Sequence, residues 1–203
     1  MNRTTLMLPI TVRTFTAPRN VKVSIPAVAG GTVPSARDSM NRDIVRTINA
    51  QMQSQGYPGG DIREMLGFFE VKTNQRGVLS LCLLNYTYTG GAHGNTLQHS
   101  LTFDADTGRK YSLRELFKPG SPYEKRLNDI VQAQIATRKL PLLGPYPGLS
   151  PDQDYYIADK ALVIYFPLYA LVPYAWGFPY FPISVYDIQD LIDENGPLGA
   201  MLY

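Results

Sequence analysis

The chain has very little cysteine, and this scarcity excludes several kinds of site. Cys82 is the only cysteine among the 203 residues, so an internal disulfide, a cysteine zinc cluster and a two-cysteine redox motif are all excluded. Because Cys82 lies in an apolar run, where a lone cysteine typically behaves as a small core residue, we expect it to be buried.

Charge is also sparse, and the two signs are nearly balanced. Charged residues make up 18% of the sequence and the formal net charge is +2. Such a chain lacks the concentrated positive charge that attracts phosphate backbones or anionic membranes. Nucleic acid is therefore not an expected partner. The hydrophobic fraction of 44% is ordinary for a globular protein and argues against disorder.

One long uncharged run raises the question of a membrane span. No charged residue occurs between Ala161 and Tyr186, a run of 26 residues, which is long enough to cross a bilayer. Prolines interrupt this run repeatedly, and each one breaks a helix, so we predict strands and turns without membrane insertion. At the N-terminus, Pro9 interrupts a short apolar run and no cleavage site follows, so no signal peptide is visible in the chain.

Three helices are predicted from capping residues and apolar periodicity. The first covers residues 35–52, with Ser35 as its N-cap and apolar side chains on one face. The second covers residues 121–135, where Ser121 and the proline and glutamate after it form a helix-start pattern. The third is a short helix over residues 184–195, which ends at an asparagine and a glycine.

The remaining apolar residues alternate with polar ones, which is typical of half-buried strands. Runs of strands with helices inserted between hairpins predict an α+β fold, with an antiparallel sheet and about three helices. The predicted strands cover residues 6–12, 21–25, 68–73, 78–88, 97–103, 155–157 and 161–166.

A glycine-rich motif carries a specific resemblance. Residues 88–94 read Tyr-Thr-Gly-Gly-Ala-His-Gly, which is similar to a signature of the RsiV-like C-terminal extracytoplasmic domain family. Residues 107–117 and 165–192 fit the same family. Residues 24–49 resemble the companion domain that precedes it there and in the peptidoglycan deacetylase PdaC.

The resemblance extends over about residues 9–195 and implies the fold of an RsiV ectodomain. It divides the chain into an extension, residues 1–8, and one α+β unit, residues 9–203. Within that unit, residues 9–60 correspond to the companion domain and residues 61–195 to the RsiV-like part.

The resemblance also implies a setting for the chain. RsiV-like domains present an extracytoplasmic surface that recognises lysozyme, and PdaC-like chains combine the companion domain with a catalytic domain that acts on peptidoglycan. This sequence shows no transmembrane helix, sigma-binding segment or deacetylase metal motif. We therefore expect a non-catalytic interaction domain of a bacterial cell envelope or spore surface, outside the cytoplasm and without a cofactor.

Two histidines and two aspartates are candidates for a metal site. His93 and His99 are followed closely by Asp104 and Asp106, and these side chain types can bind a metal ion. The strand alternation that would put both histidines on one face is interrupted at Gly94, so we predict no metal site and a structural role for His93. The aspartates resemble the start of a calcium loop, but its glycine comes too early, so we predict a turn. No other catalytic motif is present.

Two segments have the composition of a binding surface. In residues 166–182, seven of 17 residues are aromatic and four are proline, which gives rigid apolar surface at low entropic cost. A packed turn is the alternative interpretation. The N-terminal segment alternates like a strand that could be donated to a neighbour. The candidate binding residues are Leu6, Leu8, Ile10, Val12, Tyr169, Tyr174, Trp176, Phe178, Tyr180 and Phe181.

Two functions follow from these segments. The favoured hypothesis is a structural subunit of a surface filament, a homopolymer in which each N-terminal strand pairs with the next copy. It predicts that residues 1–8 are unnecessary for the fold but necessary for association. The alternative is a free-standing recognition module that binds lysozyme or peptidoglycan, as the resemblance implies.

Overall fold

A computed structural model describes residues 7–202 of the chain. The chain is α+β, with a five-stranded sheet, a three-stranded sheet and three α-helices among the described residues. It divides into two compact units, one ending at Lys110 and the other beginning at Tyr111. The expected boundary near residue 60 is therefore corrected, because the strands that follow residue 60 complete the sheet that the first two strands begin.

The first unit contains a five-stranded sheet with strands in sequence order. All neighbouring pairs are antiparallel except the second and third strands, which are parallel. A helix makes the long crossover that a parallel pair requires. The elements are β1 (Ile10–Ala17), β2 (Val21–Val28), α1 (Pro34–Ser54), β3 (Glu64–Gln75), β4 (Val78–Tyr88) and β5 (Asn95–Asp104).

The second unit combines two α-helices with a small three-stranded antiparallel sheet whose strands are in sequence order. Short 3-10 turns occupy Leu113–Leu116, Tyr174–Trp176 and Val185–Ile188. No helix within residues 7–202 is both long and apolar enough to cross a membrane. The elements are α2 (Tyr123–Arg138), β6 (Tyr155–Ala158), β7 (Ala161–Tyr165), β8 (Tyr180–Ser184) and α3 (Pro197–Ala200).

The first two predicted helices are confirmed, although both begin at different residues than expected. In α1 the buried side chains recur every three or four residues, so one face packs on the sheet. The N-cap is Val33 rather than Ser35 because Pro34 occupies the first helical position, where its fixed φ and missing N–H are tolerated. In α2 the N-cap is Pro122, not Ser121.

The predicted third helix, residues 184–195, is wrong. Only a 3-10 turn, Val185–Ile188, forms there, and the side chain of Ser184 caps it by accepting a bond from the Tyr186 N–H. The chain then leaves the helical path because its backbone is bonded elsewhere: Ile192 pairs with Phe117 in a β-bridge. The third α-helix of the described chain is the single turn α3.

Candidate functional site

The aromatic segment predicted from the sequence is a loop between two paired strands of the second unit. Strands β7 and β8 are antiparallel neighbours, and residues 166–179 connect them. Four side chains of this loop, Phe166, Leu171, Val172 and Pro179, are buried. The loop thus has its own buried anchors.

Backbone hydrogen bonds fix the path of the loop further. At its base the Phe166 N–H donates to the Pro179 carbonyl over 3.3 Å. In its middle, the Leu143 N–H donates to the Leu171 carbonyl over 2.8 Å, which joins it to a second proline-rich loop, residues 139–154. The Trp176 N–H donates to the Pro173 carbonyl over 2.9 Å. Backbone hydrogen bonds therefore hold the loop at several points along its length.

Three aromatic side chains project from this scaffold. Trp176 is 55% exposed and Tyr169 is 52% exposed, whereas Tyr174 is half-buried. The rings of Tyr169 and Tyr174 lie 5.5 Å apart at an interplanar angle of 30°. Tyr169 has a φ of 65°, a conformation that bulky residues rarely adopt and that concentrates at functional sites. We call Tyr169, Tyr174 and Trp176 the aromatic loop surface.

The other candidate residues of this segment form internal packing. Phe181 is fully buried, its ring lies 5.8 Å from that of Phe166, and the Arg138 guanidinium lies 5.3 Å from its ring centroid. The expectation that Phe181 belongs to a binding surface is therefore wrong, because alternation along β8 points it inward. Tyr180 and Phe178 are half-buried, with ring centroids 6.2 Å apart.

The proline-rich loop beside the aromatic loop is fixed by Tyr146. Its hydroxyl donates to Oδ1 of Asn128 on α2 over 2.8 Å, and its ring meets that of Phe166 edge-on at 6.1 Å. Burial raises the pKa of Tyr146 to about 12. The phenol is therefore neutral at physiological pH and can donate this hydrogen bond.

The N-terminal candidates differ sharply from one another. Leu8 is only 3% exposed and belongs to the core of the first unit, so it is not available to a neighbouring copy. Ile10 is half-buried and Val12 is 56% exposed. Leu6 lies outside the described residues.

Hydrogen bonds explain why Leu8 stays with its own unit. The Leu8 N–H donates to Asn74 Oδ1, and Asn74 Nδ2 donates to the Leu8 carbonyl, both over 2.8 Å. The Ala29 N–H donates to the Pro9 carbonyl over 2.8 Å. The expectation that the whole of residues 1–8 is unnecessary for the fold is thus corrected for residue 8.

The histidines and aspartates weighed as a metal site do not converge. His93 is exposed and its Nδ1 lies 2.8 Å from the Gly94 carbonyl. Asp104 closes a turn, because its Oδ1 accepts bonds from the N–H groups of Asp106 and Thr107. Within residues 7–202, no group of three or more His, Cys, Asp or Glu side chains could hold a metal ion.

The first unit also contains a groove that was not predicted from the sequence. Phe15 on β1 and Tyr57, just after α1, meet edge-on with ring centroids 5.8 Å apart. They line a cavity of about 440 Å³ together with Asn49 and Gln53 of α1. No signal in the sequence connects two rings that are 42 positions apart. The combination of exposed aromatic rings and carboxamides becomes visible only when the fold brings these side chains together.

Comparison with known families and structures accounts for most of the chain in two parts. Residues 16–96 match the family model described as Deacetylase PdaC, which confirms a PdaC-like companion part. Residues 114–186 match the model described as Protein of unknown function (DUF3298). No curated protein matches the chain.

Two crystal structures show the same fold. A DUF3298 family protein from Pseudomonas aeruginosa PAO1 is 16% identical with a TM-score of 0.68, over 93% of this chain and 96% of that one. A DUF3298 family member from Bacteroides fragilis NCTC 9343 is also 16% identical with a TM-score of 0.67, over 99% of both chains. The chain is therefore an α+β protein with the fold of these DUF3298 proteins.

Proposed function

We propose that the chain is a non-catalytic recognition module of a bacterial surface, outside the cytoplasm, and that the aromatic loop surface is its contact site. The observation that carries the proposal is the exposure of Trp176 and Tyr169 on a loop that already has buried anchors. Aromatic side chains exposed to this degree can contact a partner.

The composition of the loop favours an apolar contact. Tryptophan and tyrosine are enriched among the residues that dominate binding energy, because they offer large, rigid surfaces with few rotatable bonds. No charged residue occurs from Ala161 to Tyr186. Since screening by salt acts on charges, binding through this surface should depend only weakly on ionic strength.

The resemblance to RsiV-like domains supplies the partner to test first. That family recognises lysozyme, and peptidoglycan is the second candidate because PdaC-like chains act on it. The name of the matching PdaC model refers to a deacetylase, whereas our proposal assigns this chain binding alone. Both partners are met at a bacterial surface.

Truncation of the exposed rings is expected to weaken binding strongly. Trp176→Ala and Tyr169→Ala should each raise the Kd for the partner by about 30-fold, because loss of such a ring costs about 2 kcal/mol. Titration of lysozyme by calorimetry, and sedimentation of the chain with peptidoglycan sacculi, measure this. Trp176 is the only tryptophan of the chain, so a blue shift of its fluorescence should accompany binding of peptidoglycan, which contains no tryptophan.

A matched control comes from the same unit. Tyr186 is 47% exposed and lies outside the loop, with its ring beside the Lys160 amine. Tyr186→Ala should leave the Kd unchanged. If neither partner binds saturably, or if all three variants bind like the parent chain, the aromatic loop surface is not a recognition site.

A second candidate function, self-assembly, is favoured by the exposed edge of the first unit's sheet. Among the described residues β1 is paired with β2 alone, and six of its eight residues are exposed. The strand is rich in β-branched residues, contains no proline and has Arg13 as its one charge, so it has few of the features that block edge-to-edge pairing. A second copy could add to this edge.

A charge on the edge should prevent such assembly. We expect multi-angle light scattering to show multimers of the parent chain at high concentration and monomers of Val12→Lys, because lysine on an edge strand opposes pairing. Val33 is equally exposed, at 56%, but lies at the N-cap of α1, so Val33→Lys is the control and should still assemble. A parent chain that stays monomeric rules the second candidate out.

A further inference from the structure

We propose that the groove of the first unit binds a carboxylate-bearing oligosaccharide, at a site separate from the aromatic loop surface. The groove presents two aromatic rings and two carboxamides, and the depression beside it, which shares those carboxamides, adds two guanidinium groups. Each group matches a different part of an acidic sugar chain.

The aromatic end of the groove is a preformed apolar corner. Phe15 is 36% exposed, and Ile25 and Pro58 complete the wall around the ring of Tyr57. Tyr57 is held in place because its N–H donates to the Met52 carbonyl over 2.9 Å and because it packs on the core. Sugar rings have apolar faces of C–H groups, which pack against aromatic rings of this kind.

The carboxamides stand at the junction of two depressions. Asn49 and Gln53 line both the 440 Å³ groove and a broader, open depression of about 740 Å³ along α1. Both side chains are exposed and form no hydrogen bond within residues 7–202. A carboxamide offers donors and an acceptor together, so this pair can bond to hydroxyl or N-acetyl groups without an internal partner to displace.

The broader depression supplies positive charge. Arg42 lines it two turns before Asn49 and Arg46 one turn before Asn49, on the same face of α1. Arg42 makes no ion pair among the described residues, and Arg46 is only loosely paired with Asp43 at 3.4 Å. Asp38 also lines the depression, but its carboxylate is paired with Arg37 at 3.0 Å.

The order of these groups defines the ligand. From Arg42 to Gln53 the helix advances about 16 Å, so guanidinium, carboxamide and aromatic groups follow one another along an extended surface. A guanidinium binds a carboxylate well because its N–H groups match the two oxygens. A protein or nucleic acid partner fits this surface less well, because its positive charge is confined to the end at Arg42 and Arg46. The rest of the surface consists of uncharged carboxamides and aromatic rings.

Calorimetry with two tetrasaccharides tests the inference directly. Hyaluronan tetrasaccharide alternates an N-acetylated sugar with a carboxylate sugar, and chitotetraose carries the N-acetyl groups without the carboxylates. We expect the full chain to bind hyaluronan tetrasaccharide saturably and chitotetraose about fivefold more weakly, the range that an exposed charge pair contributes. In Arg42→Gln/Arg46→Gln this difference should disappear.

Aromatic variants locate the site. Tyr57→Ala should weaken binding of both sugars by about tenfold, and Phe15→Ala serves as a second variant if the first disturbs folding. Tyr186→Ala, which lines neither the groove nor the depression beside it and lies outside the aromatic loop surface, should change the affinity for neither sugar. The inference is overturned by an absence of saturable binding, by equal binding of the two sugars, by arginine variants that keep the preference, or by binding that survives loss of both rings.

Discussion

Replacement of Leu8 by aspartate is expected to lower the free energy of unfolding by about 4 kcal/mol or more. The side chain is 3% exposed and packs in the core of the first unit. The substitution removes that apolar contact and buries a carboxylate among the apolar side chains of this core, so the loss of packing and the cost of desolvation add. Urea denaturation followed by circular dichroism measures the change.

The neighbouring residue provides the control for that experiment. Met7 is 70% exposed, so Met7→Asp should shift the free energy of unfolding by less than about 0.5 kcal/mol. If Leu8→Asp proves as stable as Met7→Asp, residue 8 is not held in its own core, and the hypothesis that it pairs with a neighbouring copy regains its basis.

Alanine at Gly108 is expected to destabilise the first unit by about 3 kcal/mol. The residue has a φ of 72°, and a Cβ atom there would lie 2.5 Å from the carbonyl oxygen and 2.7 Å from the Cα atom of Ala36 in α1. These are backbone atoms of a packed helix, so they cannot rotate away as a side chain could. Thermal and urea denaturation of the variant measure the loss.

Gly120 provides a control that separates the strain of the left-handed conformation from the clash with Ala36. It has a similar φ of 76°, but a Cβ atom there would meet nothing within 4 Å. Gly120→Ala should therefore cost only the strain of the left-handed conformation, about 1 kcal/mol. If the two variants lose equal free energy of unfolding, α1 moves to accommodate the new methyl group at residue 108. The close contact between Gly108 and α1 would then not be rigid.

Local patterns predicted much of the first unit. Strand β4 has the bounds predicted from its apolar run, Val78–Tyr88, and α1 differs from its predicted range by one residue at the start and two at the end. Cys82 is buried as expected. These elements are long and strongly patterned, so neighbouring chain segments did not override their local preference.

The errors arose where long-range pairing decides the structure. Residues 184–195 carry helical periodicity, but the bridge from Ile192 to Phe117 diverts them. Strand β8 was missed because prolines and aromatic residues obscured its alternation, although Pro182 is tolerated in a strand at the edge of its sheet. Leu8 was predicted to be free for a neighbouring copy because its hydrogen-bond partner, Asn74, is 66 positions away in the sequence.

The candidate site was only partly predictable for the same reason. Composition identified the segment that holds Tyr169 and Trp176, but it could not separate these exposed rings from the buried Phe181. Which ring faces outward depends on the pairing of β7 with β8. The groove between Phe15 and Tyr57 requires two distant segments to meet, so it could be found only in three dimensions.

The placement of the aromatic loop between two paired strands bears on how this protein can diversify. Pairing of β7 with β8 closes the base of the loop, and the entropic cost of closing a loop changes only slowly with its length. Substitutions and small insertions among the outward-facing positions would therefore leave the sheet beneath intact. Homologous chains could acquire new partners by exchanging this stretch alone, while selection on folding acts on its buried anchors.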